Sequence, residues 1–218
     1  MITMSEEENK KPEENKKPDE QQGLDIQGHI KIFDPETDEV YVDKKNAIHY
    51  ENFSVALAKS IANRTTGFIE EMHFGNGGTA VDTTGAITYL TPNAKGDNAN
   101  LYNKTYYKSI NDQSALNTDT ARNKITVAHT NGTTYTDLIV SCLLDFGEPA
   151  GQQAFDNTTT VNDTYVFDEL GLFSWEGTAG SGKLLTHVIF HPVQKSLNRL
   201  IQIDYTIRIQ SLTNFVDV

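Results

Sequence analysis

Ten consecutive residues near the C-terminus, Ile201 to Gln210, constrain this chain more than any other stretch. Ile201, Ile203, Tyr205, Ile207 and Ile209 alternate with Gln202, Asp204, Thr206, Arg208 and Gln210. A period of two over that length puts the apolar side chains on one face of a β-strand and the polar ones on the other. A strand with one dry face must lay it against a second layer, so the chain around it is expected to build a layered β structure. Two further apolar runs lie just upstream. One ends at Leu170-Gly-Leu-Phe173, and the other reads as a strand from Leu184 to His191. A glycine-rich turn (Gly177 to Gly182) separates them, and a corner from Pro192 to Asn198 leads into the last run.

The rest of the chain supplies partners for these strands. His29-Ile-Lys-Ile-Phe33 and Val40-Tyr-Val-Asp43 alternate around Asp34-Pro-Glu-Thr-Asp-Glu39, which has turn chemistry, and predict a hairpin. One helix follows, with Asn52 or Ser54 as N-cap, Phe53, Leu57 and Ile61 at four-residue spacing, and a stop near Arg64. It is expected to lie against a sheet. Phe68 to Phe74 and Ala86 to Leu90 read as strands, as does Lys124 to His129. Asn131-Gly132 is a hairpin-turn dipeptide leading into Tyr135 to Phe146. In that run Leu138, Val140, Cys142, Leu144 and Phe146 share one face while Ile139 and Leu143 are apolar on the other, the pattern of a central strand covered on both sides. Asn93 to Asn123 is polar and reads as a long exposed insertion, part of it placed to cover a sheet edge.

The expectation is an antiparallel β-sandwich-like domain over 24–218, with one short amphipathic helix and a polar insertion at about 93–123. Residues 1–23 form a charged arm. Its near-repeat Glu-Asn-Lys-Lys-Pro-Glu, Glu-Asn-Lys-Lys-Pro-Asp has no aromatic or branched apolar residue to offset the entropy of ordering, so the arm is expected to be disordered.

Charge and composition exclude several functions. The net charge is −12, of which residues 1–22 carry −3, so the acidity belongs mainly to the folded part. That gives no basic stripe for nucleic acid and no attraction to an anionic membrane surface. Cys142 is the only cysteine and sits in an apolar run, so it reads as a buried, inert thiol. The N-terminal stretch lacks the basic and apolar regions of a signal peptide, and no run is long enough to span a bilayer.

The chemical motifs fail on detail. Gly75-Asn76-Gly77-Gly78-Thr79 invites a phosphate-loop reading, but no Gly-Lys-Ser/Thr is present and no helix follows, so it reads as a wide β-loop. His187 and His191, on one strand, would stand about 13 Å apart and cannot share an ion. Asp168-Glu169 and Glu70-Glu71 have no spacing that selects a catalytic pair, and read as surface or edge charges. Lys104-Thr-Tyr-Tyr-Lys-Ser109 interleaves aromatic and basic residues in a way that suits stacking on a base or a sugar, but it reads first as part of the exposed excursion between strands. No catalytic residue, metal site or cofactor is expected.

Glu169-Leu-Gly-Leu-Phe173, the Gly177 to Gly182 turn, Val188-Ile-Phe-His-Pro192 with Lys195, and the alternating Leu200 to Gln210 together resemble tailed-bacteriophage virion structural proteins of the tail-fibre, collar and baseplate kind. The block from Asn46 to Pro92, with its His-Phe-Gly-Asn-Gly-Gly-Thr loop, is also similar to phage structural proteins. The resemblance covers about half of the chain and implies a virion subunit of the tail, baseplate or neck/collar, assembled in the host bacterial cytoplasm, whose partners are other virion proteins and copies of itself. It carries no catalytic residue. Gly171 is expected to let its strand pass close to another backbone, inside the subunit or across an interface. The alternatives are a capsid decoration protein, or a receptor- or glycan-binding adhesin with Tyr102, Tyr106 and Tyr107 as its platform; a β-sandwich hydrolase is a third class. The residues expected to form an interaction surface are Tyr102, Tyr106, Tyr107, Asn76, Glu169 and Phe173.

Overall fold

The computed structural model describes residues 23–149 and 164–212. The charged arm and most of the loop after Glu148 lie outside these residues. The architecture is a β-sandwich of two five-stranded antiparallel sheets with one helix and a small two-stranded ribbon. In chain order the elements are β1 (Leu24–Phe33), β2 (Val40–Lys45), β3 (Ala47–Ile48), α1 (Tyr50–Ile61), β4 (Ile69–Gly75), β5 (Thr79–Val81), β6 (Ile87–Tyr89), β7 (Lys104–Ser109), β8 (Lys124–His129), β9 (Tyr135–Leu144), β10 (Thr164–Ser174), β11 (Thr186–Ser196) and β12 (Ile201–Ser211). The first sheet has the order β2-β1-β12-β9-β8 and the second β3-β11-β10-β4-β7.

The alternating run is β12, at the centre of the first sheet. Ile201, Ile203, Tyr205 and Ile207 are fully buried. Register aligns them with Leu144, Cys142, Val140 and Leu138 of β9 on one side, and Tyr205 and Ile203 with Ile30 and Ile32 of β1 on the other. These rows form one core with Met72, Phe74, Phe167, Leu170, Leu172, Val188 and Phe190 from the second sheet. Each fully buried side chain of this kind stabilises the fold by about 1.5–3 kcal/mol, so the period-two pattern alone goes far towards holding the two layers together. Cys142 is fully buried, and burial pushes its thiol up to about 12.

The three C-terminal runs do not stay together. β10 and β11 pair in the second sheet while β12 crosses to the first. β11 also continues through Pro192, which the sequence placed at its end. The proline lies where the β10–β11 register slips between Phe167 and Glu169, so its missing N–H interrupts no regular ladder bond. In β9, Leu143 is buried and Ile139 half-buried, but Phe146 lies beyond the strand and is exposed.

The helix begins earlier than expected. His49 is its N-cap: its Nδ1 accepts from the Asn52 amide at 3.2 Å, and its Nε2–H donates to the Gly96 carbonyl at 3.0 Å. Asn52 is buried and donates from its side chain to the Leu184 carbonyl. Phe53 and Ala56 enter the core, but Ile61, counted in the apolar stripe on spacing alone, is 79% exposed in the last turn. The insertion is more structured than its polarity predicted. It contains β7, which pairs along β4 as the edge of the second sheet, Tyr107 opposite His73 and Tyr106 opposite Phe74. No helix among the described residues is long and apolar enough to cross a membrane.

Candidate functional site

The outer face of the second sheet holds the most concentrated chemistry in the molecule. The excursion from Asn76 to Asn103 folds over this face, and Leu101 packs there with Phe173 and Leu184 in a small second core. Side chains that alternation would place in solvent are buried beneath it and beneath the turn that holds Gly180. Glu71, His73, Glu169 and His187 are each no more than 1% exposed, and Glu70 and Asp168, which lie outside that alternation, are buried as well. The carboxylates expected at the surface are interior groups, because β4 and β10 are inner strands under a covering layer.

Glu169 is at the centre. One carboxylate oxygen accepts from the amides of Gly77 (3.1 Å) and Asn103 (2.8 Å). The other accepts from the Tyr102 amide (2.9 Å) and from His187 Nε2–H (3.0 Å). His187 Nδ1 accepts in turn from the Asn93 amide at 2.8 Å, which fixes the tautomer. Asp168 accepts from the amides of Gly78 and Thr79, both at 2.9 Å, and from the Thr79 hydroxyl. Gly75 meets this cluster so closely that a Cβ there would lie 2.5 Å from the Asn103 carbonyl and from the Glu169 carboxylate.

The glycine loop therefore does gather amides around negative charge, as a phosphate loop does. The anions are the protein's own, Asp168 and Glu169. Burial opposes ionisation of Glu169, but its bonds from His187, Asn103 and Tyr102 outweigh it and hold the carboxyl below the ordinary glutamate range. At Asp168 burial prevails over the bonds from Thr79 and Gly78 and raises the carboxyl above the ordinary range.

Further along the face, both oxygens of Glu71 accept from the Gly180 amide (2.8 and 3.0 Å), and one also accepts from His73 Nε2–H at 2.7 Å. The His73 ring stacks on Phe173 with centroids 3.7 Å apart. Its Nδ1 is buried without a hydrogen-bond partner among the described residues, and burial lowers its pKa despite the carboxylate beside it. Glu70 accepts from the Ser109 hydroxyl and the Asn111 amide group. Asp168 and Glu169 fasten the glycine loop onto β10, Glu169 also holds Tyr102 and Asn103, and Glu71 fastens the turn holding Gly180 onto β4. Lys195 is also buried; its Nζ donates to the Ser196 carbonyl, and burial pushes it down to about 8.

The residues expected at an interaction surface divide. Tyr102 and Tyr107 are 45% and 42% exposed, and Asn76 is half-buried, its side chain accepting from Asn103 at 2.6 Å. Tyr106 turns into the sandwich against Phe74, because neighbours on β7 face opposite ways, so the three tyrosines do not form one platform. Glu169 and Phe173 are buried and present no surface. His187 and His191 have separate partners, His191 standing 3.2 Å from the Tyr89 hydroxyl. No group of three or more metal-ligating side chains is found among the described residues.

What the sequence reading missed was the role of Asp168 and Glu169. The signal was available: two adjacent carboxylates sit inside a run otherwise apolar on both faces, Val166 to Phe173, in a chain that also carries a cluster of glycines after a strand. An acidic pair in a buried strand needs donors, and the glycine loop is where backbone donors converge. The chain matches no family model, no curated protein and no solved structure.

Proposed function

We propose that this chain is a structural subunit of a tailed-bacteriophage virion, in the tail, baseplate or neck/collar, acting by assembly rather than by catalysis. The resemblance around Glu169 to Phe173 and at the His73 to Thr79 loop is the ground for the class of particle. The observation that carries the role is the use made of Asp168 and Glu169. Seven hydrogen bonds from the protein itself converge on these two carboxylates. A carboxylate saturated by fixed internal donors is a fastener and not a proton shuttle. Two of the motifs that carry the resemblance are thus the two halves of one latch, which gives them a physical reason to occur together.

In this reading the sandwich is a rigid scaffold, and its partners are further copies of the chain and other virion proteins. Mass spectrometry of purified, salt-washed particles should find the chain at a fixed ratio to the other structural proteins. Its absence from intact particles overturns the proposal.

A further inference from the structure

Two Asn-Gly dipeptides occur in the chain, Asn76-Gly77 and Asn131-Gly132. This pair is chemically unstable wherever it is free to move. The glycine amide nitrogen can attack the side-chain carbonyl carbon of the asparagine, and glycine has no Cβ to hinder that approach. The two dipeptides meet opposite surroundings. At Gly77 the attacking nitrogen is engaged, its N–H donating to the buried Glu169 carboxylate at 3.1 Å. Asn76 is held as well. Its side-chain oxygen accepts from the Asn103 side chain at 2.6 Å, and its own amide donates to the Asn103 carbonyl at 3.2 Å. Packing is so close that a Cβ on Gly77 would lie 2.8 Å from the Asn103 nitrogen.

Asn131-Gly132 has none of these restraints. It is the tip of the β8–β9 hairpin, in a turn closed by the Thr133 amide on the Thr130 carbonyl at 3.1 Å, with Gly132 at φ +87°. Both residues are exposed, and a Cβ on Gly132 would meet nothing within 4 Å. Neither the Asn131 side chain nor the Gly132 N–H has a hydrogen-bond partner among the described residues. We propose that Asn131 is a site of spontaneous covalent modification, deamidating through a cyclic imide, and that the Glu169 latch keeps the same reaction from Asn76. The Gly132 nitrogen gives its proton to solvent and bonds to Cγ of Asn131, and ammonia leaves. Water then opens the five-membered imide at either of its carbonyls. Ammonia is lost and water gained, so an amide becomes a carboxylate and no oxidant or reductant is needed. One opening gives aspartate. The other gives isoaspartate, in which the main chain runs through the side-chain carbon and is longer by one methylene. Either product adds a negative charge beside the end of the edge strand β8, on a chain already at −12. The inference is independent of the virion reading.

The full chain should be aged in mildly alkaline buffer, folded in one arm and in concentrated urea in the other, and both sites followed by peptide mapping with mass spectrometry. In the folded protein Asn131 is expected to convert at least about tenfold faster than Asn76, because a bond to a buried carboxylate holds the Gly77 amide closed by about that factor or more. In urea the gap should close, since both asparagines precede glycine. Glu169→Ala, shown to be folded by circular dichroism, should speed conversion at Asn76 and leave the rate at Asn131 unchanged. An Asn131 that stays intact in the folded chain while converting in urea overturns the proposal, and so does an Asn76 that converts as fast as Asn131 in the folded chain. A folded Glu169→Ala protein with the parent's rate at Asn76 overturns the shielding by the latch. Should that variant fail to fold, the folded and urea rates of the parent decide.

Discussion

Glu169→Gln tests the latch with the smallest change of shape. The two oxygens of Glu169 each accept two bonds, one from Gly77 and Asn103, the other from Tyr102 and His187. Glutamine replaces one oxygen by an NH₂ group. Whichever way the amide turns, two of the four donors then face a donor inside a fully buried site. Hydrogen bonds to a charged group contribute about 1.5–3 kcal/mol each, and a buried donor left unpaired costs a similar amount. Relaxation of the glycine loop reduces the sum, so a loss of about 3 kcal/mol or more is expected, a large fraction of the 5–15 kcal/mol typical of a domain. Glu169→Ala strands all four donors and should lose still more. Urea unfolding gives the global figure. Amide exchange at Gly77, Tyr102 and Asn103 gives the local one, and these should lose protection well before the β12 amides do. The pH dependence follows from the sign of the shift. The folded carboxyl titrates below the ordinary value of 4.5, so the unfolded chain takes up this proton first. The contribution of Glu169 is complete above about pH 4.5 and is lost as the pH falls through the folded value. A Glu169→Gln protein within about 0.5 kcal/mol of the parent, with the three amides equally protected, would refute the reasoning.

Two further substitutions probe neighbouring features. Gly171→Ala adds a Cβ 2.3 Å from the Thr186 carbonyl oxygen, a backbone atom of the paired segment; a loss of about 3 kcal/mol is expected from overpacking, measured by thermal or urea unfolding, and an unchanged midpoint contradicts it. Tyr106→Ala should destabilise by about 3 kcal/mol as a large-to-small core change, because Tyr106 packs on Phe74 inside the sandwich, whereas Tyr107→Ala, on the exposed face, should unfold close to the parent. Equal midpoints for the two tyrosine variants would show that they do not occupy opposite faces.

The sequence was most legible where a single face decides the structure. Ile201 to Gln210 has one dry side and one wet side, and no packing partner changes that reading; the same holds for β1. It was least legible where a covering segment reverses the meaning of polarity. Glu71, His73, Glu169 and His187 alternate outward as solvent-facing residues should, and are interior because other segments fold over them, the Asn76 to Asn103 excursion at Glu169 and His187 and the turn holding Gly180 at Glu71. Nothing local in β4 or β10 encodes that cover. The helix shows the same limit on a smaller scale. Four-residue spacing grouped Ile61 with Phe53 and Leu57, but α1 meets the sheets only through its first two turns, and the cap that sets its start is a histidine fixed by Gly96, nearly fifty residues away. Gly171 lies between these extremes. Its need for a close backbone could be read from sequence, and the structure supplies the neighbour, Thr186 of the same chain. The glycine is therefore required for the chain to close on itself, and among the described residues the edges β2, β7 and β8 and the apolar groove beside α1 are where backbone and apolar surface remain exposed.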